Sequence, residues 1–167
     1  MRYKITFYDF WHLSSGVSAG ATMDSLVVKD NDGLPYVPGK TLKGLVREMA
    51  ELIDSTKSKK IFGDQCSQIA ESYFSNATLD KDTIVHLNAN STLKKHLFDK
   101  VTSTKINEKG IAQDKSLREI EVVIPLTLSG NIECEEEDLI TQALRMIKQI
   151  GLNRNRGLGR CKMEVVK

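Results

Sequence analysis

Two amphipathic helical segments constrain the fold of this chain more than any other feature. The first begins near 39–41, directly after Pro38, and the second covers 135–150. Their apolar positions are Leu42, Leu45, Val46, Met49, Leu52 and Ile53 in the first segment, and Leu139, Ile140, Ala143, Leu144, Ile147 and Ile150 in the second. Each segment therefore predicts a helix with one face on a core, and Gly151 is expected to end the second helix.

Strand-like segments frame these helices. They lie at 3–7, 83–88, 120–128 and 163–166. Pro125 suggests an edge or a bulge, and 65–74 gives a weaker helical pattern. The order of the elements predicts an α+β, ferredoxin-like fold of the RNA-recognition type, β-α-β-β-α-β.

The length of 167 residues is sufficient for one domain with an elaborate insertion. The segment 102–115 is polar and poor in large apolar residues, which is typical of an exposed hairpin or arm. We therefore expect a single domain over 1–167 with an inserted hairpin. A net charge of +2 does not by itself indicate a nucleic-acid binder.

Several classes of protein are disfavoured by the composition. Cys66, Cys134 and Cys161 are scattered without a CxxC pair, which argues against a disulfide framework or a zinc site. Lys4 and Asp9 interrupt the first apolar stretch, which is therefore not typical of a signal peptide. No apolar run approaches membrane-spanning length. We expect a cytoplasmic protein with no membrane partner.

The Gly-Lys-Thr sequence at 39–41 resembles the end of a nucleotide-binding P-loop. However, five residues rather than four separate Gly33 from this triplet. Pro35 and Pro38 also lie where the loop would need backbone N–H groups for phosphate oxygens, and proline has none. The pattern therefore argues against an ATP site.

The start of the first helix is nevertheless suited to anions. Helix N-termini bind anions through their free N–H groups, and Lys40 and Lys43 stand beside them. Arg47 shares a helix face with Lys43. A capped helix with solvated lysines remains the alternative interpretation.

Charge is unevenly distributed in the last part of the chain. The acidic run at 133–138 lies in the first turn of the second helix, where the helix dipole favours it, and predicts a helix start. The segment 151–160 combines arginines with glycines: Arg154, Arg156, Gly157, Gly159 and Arg160. Arginines offer forked donors to phosphate, and glycines allow positive φ angles and close approach of a ligand. The segment therefore predicts contact with a phosphate backbone, and RNA suits it better than a single nucleotide. The alternative is a flexible turn with solvated arginines.

Three segments together resemble the RAMP superfamily of CRISPR-associated RNA-binding proteins. They are 20–30 (GATMDSLVVKD), 33–47 (GLPYVPGKTLKGLVR) and 151–160 (GLNRNRGLGR). Within that superfamily they are most similar to the backbone subunit of type III effector complexes, and Phe62-Gly63 also matches a Phe-Gly that follows its first helix. The motifs cover both ends of the chain, and the middle matches only loosely.

The resemblance implies a subunit that polymerises head-to-tail along a CRISPR guide RNA, together with other RAMP subunits and target RNA. By position it assigns RNA-backbone contacts to Lys40, Lys43, Arg47, Arg154, Arg156, Gly157, Gly159 and Arg160. The arm at 102–115 corresponds to a thumb that separates guide–target segments. The chain is shorter than typical backbone subunits, so part of the insertion that contacts RNA is expected to be reduced.

The resemblance also implies a catalytic residue. In this subunit family an aspartate ahead of the Val-x-Lys/Arg-Asp segment cleaves target RNA with a divalent metal, and Asp24 is the matching residue. The ion, Mg²⁺ by expectation, would be bound weakly and completed by water and RNA oxygens. Alternatively, Asp24 caps its loop by accepting hydrogen bonds from nearby backbone N–H groups.

Four functions remain open on the sequence. The first is a guide-binding backbone subunit with Asp24 as target-RNA nuclease, and the second is a non-catalytic structural RAMP subunit. The third is a guide-RNA-processing ribonuclease, for which His12 is the candidate general base, since His86 and His96 are typical of ordinary structural or surface histidines. The fourth is an unrelated binder of single-stranded nucleic acid.

Overall fold

The computed structural model describes residues 1–20, 23–63 and 72–166. Its elements are β1 (Arg2–Phe7), α1 (Gly39–Ile53), α2 (Ser55–Phe62), β2 (Tyr73–Phe74), α3 (Lys81–Ala89), β3 (Phe98–Ser103), β4 (Arg118–Val123), β5 (Thr127–Glu133), α4 (Glu137–Met146) and β6 (Cys161–Val166). Two 3₁₀ helices cover Ser91–Leu97 and Arg154–Arg156. Within these ranges, none of the helices has the length and apolar character needed to cross a membrane.

A four-stranded antiparallel sheet, in the order β2-β5-β1-β6, forms the centre of the fold. Tyr3, Ile5 and Phe7 of β1 alternate with polar residues and are buried on one face of the sheet. The buried faces of α1 and α4 pack with them in one core. With β1, β2, β5 and β6 as its four strands, the sheet has the ferredoxin-like arrangement, and the predicted fold class is confirmed.

The start of α1 lies where the sequence predicts it. The helix begins at Gly39, directly after Pro38 in extended conformation, and buries Leu42 and Val46. A Cβ atom on Gly39 would clash with the carbonyl oxygen of Phe74. Glycine is therefore required here by the close packing of the helix start against β2.

An excursion between β2 and β5 carries α3, a 3₁₀ helix and a separate hairpin of β3 and β4. The two strands pair over their full lengths, and the loop that joins them, 104–117, is largely exposed. The predicted arm at 102–115 falls on the end of β3 and on most of this loop. The inserted hairpin of the predicted fold is therefore present.

Two strand predictions are wrong. Residues 83–88 are helical within α3, because the Asp80 carboxylate caps that helix and accepts a hydrogen bond from the Thr83 N–H at 2.9 Å. The strand expected at 120–128 is two strands, β4 and β5, which belong to different sheets and are separated around Pro125. Proline has no N–H for a ladder, so the break falls there.

The helix predictions also need correction. α4 ends at Met146, and Gly151 does not terminate it. Gly151 has a φ of +100°, and a Cβ there would clash with the carbonyl oxygen of His12, so glycine is required by loop packing. α2 was not expected; it begins after Asp54, whose carboxylate accepts hydrogen bonds from two backbone N–H groups. Most of the helix predicted at 65–74 lies outside the described residues, and its end forms β2.

Candidate nucleic-acid interface

Asp24 is held against the edge of β4. Its backbone N–H donates to the carbonyl oxygen of Glu119 at 2.8 Å, and its Oδ2 accepts a hydrogen bond from the Glu119 N–H, also at 2.8 Å. Ser25 continues the contact as a parallel bridge to Ile120. The side chain is exposed but fixed in position. Asp24 therefore accepts from a backbone N–H, as the capping interpretation expected, although the donor is distant in the sequence.

A buried carboxylate that the sequence analysis missed anchors the segment after Asp24. Glu121 accepts hydrogen bonds from the Val27 N–H at 3.0 Å and from Lys29 Nζ at 2.7 Å. Lys29 Nζ also lies 4.0 Å from the centroid of the Phe98 ring. Glu121 is the acidic residue within the apolar run 120–124, and this was the available signal, because a buried charge needs a partner.

His12 lies behind Asp24 and is fully buried, with a side-chain exposure of 0%. Its Nδ1 donates to the carbonyl oxygen of Glu121, and its Nε2 lies 3.0 Å from the hydroxyl of Ser25. Both ring nitrogens are therefore occupied away from solvent. This placement argues against His12 as a general base, whereas His86 and His96 are exposed.

A polar cleft of about 770 Å³ brings Asp24 together with the hairpin and with Arg156. Its lining residues are Asp24, Ser103, Thr104, Lys105, Gln113, Asp114, Lys115, Ser116, Leu117, Arg118 and Arg156. Four of these side chains are cationic and two are acidic, so the cleft has an excess of positive charge. Clefts lined by one sign of charge attract ligands of the opposite sign. The sequence analysis expected the arm at 102–115 to match a thumb but named none of its residues as RNA-binding, although the lysines of the arm were a signal.

The glycine- and arginine-rich segment forms a tight 3₁₀ turn. The residues on either side of the turn, Asn153 and Gly157, both have a left-handed backbone conformation. Arg154 and Arg156 are exposed, and within the described part of the chain neither makes an ion pair or a side-chain hydrogen bond. Gly157 and Gly159 both have positive φ angles, and a Cβ on Gly159 would in addition clash with the backbone carbonyl of Ile150.

Arg160 differs from the other two arginines because it already has a counter-charge. Its Nε donates to Oδ2 of Asp9 at 2.9 Å, and its Nη2 donates to Oδ1 at 3.3 Å. The guanidinium carbon also lies 5.8 Å from the centroid of the Tyr8 ring. The arginine is therefore oriented by two neighbours from the segment that follows β1.

The cations of α1 are engaged to different degrees. Lys43 Nζ donates to the carbonyl oxygen of Ser72 at 2.7 Å, and burial, followed by the nearby charge of Arg47, lowers the pKa of Lys43. Arg47 pairs with Glu51 at 2.9 Å. Lys40 is exposed and has no ion pair among the residues that the structure describes.

The two predicted groups of phosphate-binding residues do not form one local site. The start of α1 packs on Phe74 of the edge strand β2, at the level of Met1 in the sheet. Arg160 directly precedes the opposite edge strand, β6, and Cys161 of that strand pairs with Phe7. Six residues of β1 separate these levels, which is about 20 Å along the strands. An RNA of several nucleotides could contact both groups, but a single phosphate could not.

A divalent metal would find few protein ligands at Asp24. Among the described residues, no group of three or more His, Cys, Asp or Glu side chains could hold an ion. Asp24 retains one carboxylate oxygen, Oδ1, that accepts no hydrogen bond within the described ranges. A hard cation such as Mg²⁺ prefers oxygen ligands and keeps several waters, so this donor set fits one weakly held ion that also contacts phosphate oxygens.

The family model of the RAMP superfamily matches residues 4–162 of the chain. This chain belongs to the RAMP superfamily. It shares its fold with a chain in the cryo-EM structure of the type III-B Cmr-beta bound to cognate target RNA, with a TM-score of 0.72, 12% identity and coverage of 98% of this chain and 95% of the other. It also shares its fold with a chain in the cryo-EM structure of the apo state of the type III-B Cmr-beta. The TM-score is 0.71 and the identity 13%, with coverage of 99% of this chain and 96% of the other. No curated protein matches in sequence.

Proposed function

We propose that this RAMP protein is a guide-RNA-binding backbone subunit of a type III CRISPR effector complex. Family membership over 4–162 supports the proposal, as does the shared fold with a chain of a Cmr-beta structure that contains cognate target RNA. The observation that carries it is the basic cleft in which Asp24, the hairpin and Arg156 meet.

The cationic residues of the cleft would contact RNA phosphates, since such contacts position a nucleic acid without reading its sequence. They are Lys105, Lys115, Arg118 and Arg156. Binding of single-stranded RNA should consequently fall steeply with salt and depend little on base sequence. A guide RNA longer than one subunit requires further copies. These would associate head-to-tail through two different surfaces and with other RAMP subunits.

Asp24 is the residue through which the subunit would cleave target RNA. The Glu119 N–H holds Oδ2 and fixes the carboxylate at the wall of the cleft, so that Oδ1 can face a bound backbone. A divalent cation held there would stabilise charge on the scissile phosphate and activate a nucleophile. The lysines and arginines around Asp24 would keep the phosphates in place during the reaction.

A non-catalytic structural subunit is the second candidate, and one observation favours it. Asp24 uses both its backbone N–H and its carboxylate to bind Glu119, so the residue has a structural role even without chemistry. Guide-RNA processing through His12 is disfavoured, because the ring is buried and both of its nitrogens are occupied.

The test uses the native complex, purified from its host through a tag on this chain. Sequencing of the bound RNA should return repeat-derived guides, and the complex should cut a paired target in the presence of magnesium. Asp24→Asn keeps an oxygen for the Glu119 N–H but removes the charge. We expect this variant to assemble normally and to cleave about 100-fold more slowly or worse.

Two aspartates provide matched controls. Asp114 lines the same cleft, and Asp32 lies in a surface turn; Asp114→Asn and Asp32→Asn should both cleave normally. Bound RNA without guides would overturn the subunit assignment. Guides together with normal cleavage by Asp24→Asn would leave the non-catalytic subunit as the better description.

A further inference from the structure

The face of the four-stranded sheet that points away from α1 and α4, the outer face, lacks a stacking platform on its longer strands. The outward residues of β1, β5 and β6 are Arg2, Lys4, Thr6, Thr127, Ser129, Asn131, Glu133, Lys162, Glu164 and Val166. Many RNA-binding sheets stack unpaired bases on aromatic rings. None of these residues is aromatic, so a base has no ring to stack on in the middle of the face.

An aromatic ring stands where β1 ends. Tyr8 follows the buried Phe7, its backbone N–H donates to the carbonyl oxygen of Arg160 at 2.9 Å, and 48% of the residue is exposed. The Arg160 guanidinium lies beside the ring, and Asp9 holds that guanidinium with two hydrogen bonds. Tyr8 therefore has a fixed cationic neighbour and remains about half exposed.

The same region connects Tyr8 to Arg154 and Arg156, which have no acidic partner within residues 1–20, 23–63 and 72–166. The Gly159 N–H donates to the carbonyl oxygen of Phe10 at 2.7 Å, which ties the glycine-rich segment to the chain after β1. Arg154 and Arg156 lie in the turn just before it and are exposed. An aromatic ring beside cations that can take phosphates is the combination that binds single strands without sequence preference.

We propose that Tyr8 is a stacking site for an unpaired base of single-stranded RNA, with phosphates of the same strand on Arg154 and Arg156. Arg160 is a positioning residue in this site, because its charge is balanced by Asp9 and its guanidinium carbon lies 5.8 Å from the centroid of the ring. The inference rests on the proposed function, which supplies RNA as the ligand.

The test uses the full chain and a single-stranded RNA that carries one 2-aminopurine between uridines. Stacking on the protein quenches this fluorescent base, so binding and stacking are read separately. Tyr8→Ala should weaken binding by about 5-fold to 100-fold and abolish the quenching, whereas Tyr8→Phe should keep both. The salt dependence should not change, since no charge is removed.

Tyr73 is the matched control. It is another exposed tyrosine, 61% accessible, but it pairs with Glu133 at the far corner of the sheet. Tyr73→Ala should behave like the parent. If the parent binds RNA and Tyr8→Ala binds and quenches equally well, the stacking site is refuted while the proposed function stands. If the parent binds no RNA, both are refuted.

Discussion

The three arginines of the glycine-rich segment differ in their ion pairing, and this difference leads to a quantitative prediction about RNA binding. Each phosphate of a single strand that a cation neutralises contributes about 0.7 to the slope of log affinity against log salt concentration. Arg154 and Arg156 have no acidic partner among the described residues, so each can neutralise one phosphate. Arg160 is paired with Asp9 through two hydrogen bonds and can release far fewer counterions.

Two double variants separate these roles. Arg154→Ala with Arg156→Ala should lower the magnitude of the slope by about 1.4, which corresponds to two lost contacts. Asp9→Asn with Arg160→Gln removes one anion and one cation, so the net charge is unchanged. This second variant should keep the slope of the parent. The expected difference between the two variants depends on the ion pair between Arg160 and Asp9. Without it, the three arginines would each contribute the same amount to the slope.

The measurement is the fluorescence anisotropy of a labelled single-stranded RNA, titrated with the purified chain at a series of potassium chloride concentrations. Circular dichroism and thermal unfolding would verify that each variant is folded. An unchanged slope in the Arg154→Ala, Arg156→Ala variant would remove the segment from the RNA interface. Equal decreases in the two double variants would refute the distinction between Arg160 and its neighbours.

Two further predictions concern stability. Glu121→Gln should lower the free energy of unfolding by about 2 kcal/mol in urea titrations, because the carboxylate is buried and ion-paired. Glu119 forms its ion pair at the surface, so Glu119→Gln should lower the free energy of unfolding by only about 0.5 kcal/mol. Equal losses in the two variants would contradict the role of Glu121 as a buried anchor. Gly159→Ala should cost about 3 kcal/mol or more because of its φ of +72° and a clash with Ile150. Gly44→Ala, where space is open within α1, should instead gain up to about 1 kcal/mol, and thermal unfolding of both variants would show whether the signs are opposite.

Local periodicity predicted the elements whose burial pattern is regular. The start of α1 followed from Pro38 and from apolar residues at helical spacing, and β1 followed from strict alternation. The same logic failed at 83–88, where Thr83, Ile84 and Val85 favour a strand by composition. There the deciding feature was the capping carboxylate of Asp80, which precedes the pattern.

The candidate site was less predictable because it depends on pairing between distant segments. Asp24 was recognised from a motif, yet its partner on β4 is 95 positions away, and no spacing in the sequence indicates that contact. The hairpin likewise lines the cleft through contacts between segments that are distant in the sequence. The resemblance assigns RNA contacts to both Lys40 and Arg160, but the two residues lie beside opposite edges of the sheet. The order of the motifs in the sequence does not reveal this separation.

His12 connects parts of the candidate nucleic-acid interface from within the core. Its ring contacts the backbone of β4 at Glu121 and the hydroxyl of Ser25, next to Asp24. Its own carbonyl oxygen accepts a hydrogen bond from the Leu152 N–H at 2.9 Å, at the start of the glycine-rich segment. One buried residue therefore contacts the segment that carries Asp24 through its ring and the segment that carries Arg156 through its backbone carbonyl. The separation between the Asp24 carboxylate and the turn that carries Arg156 consequently depends on a buried residue, as preorganisation of the proposed interface requires.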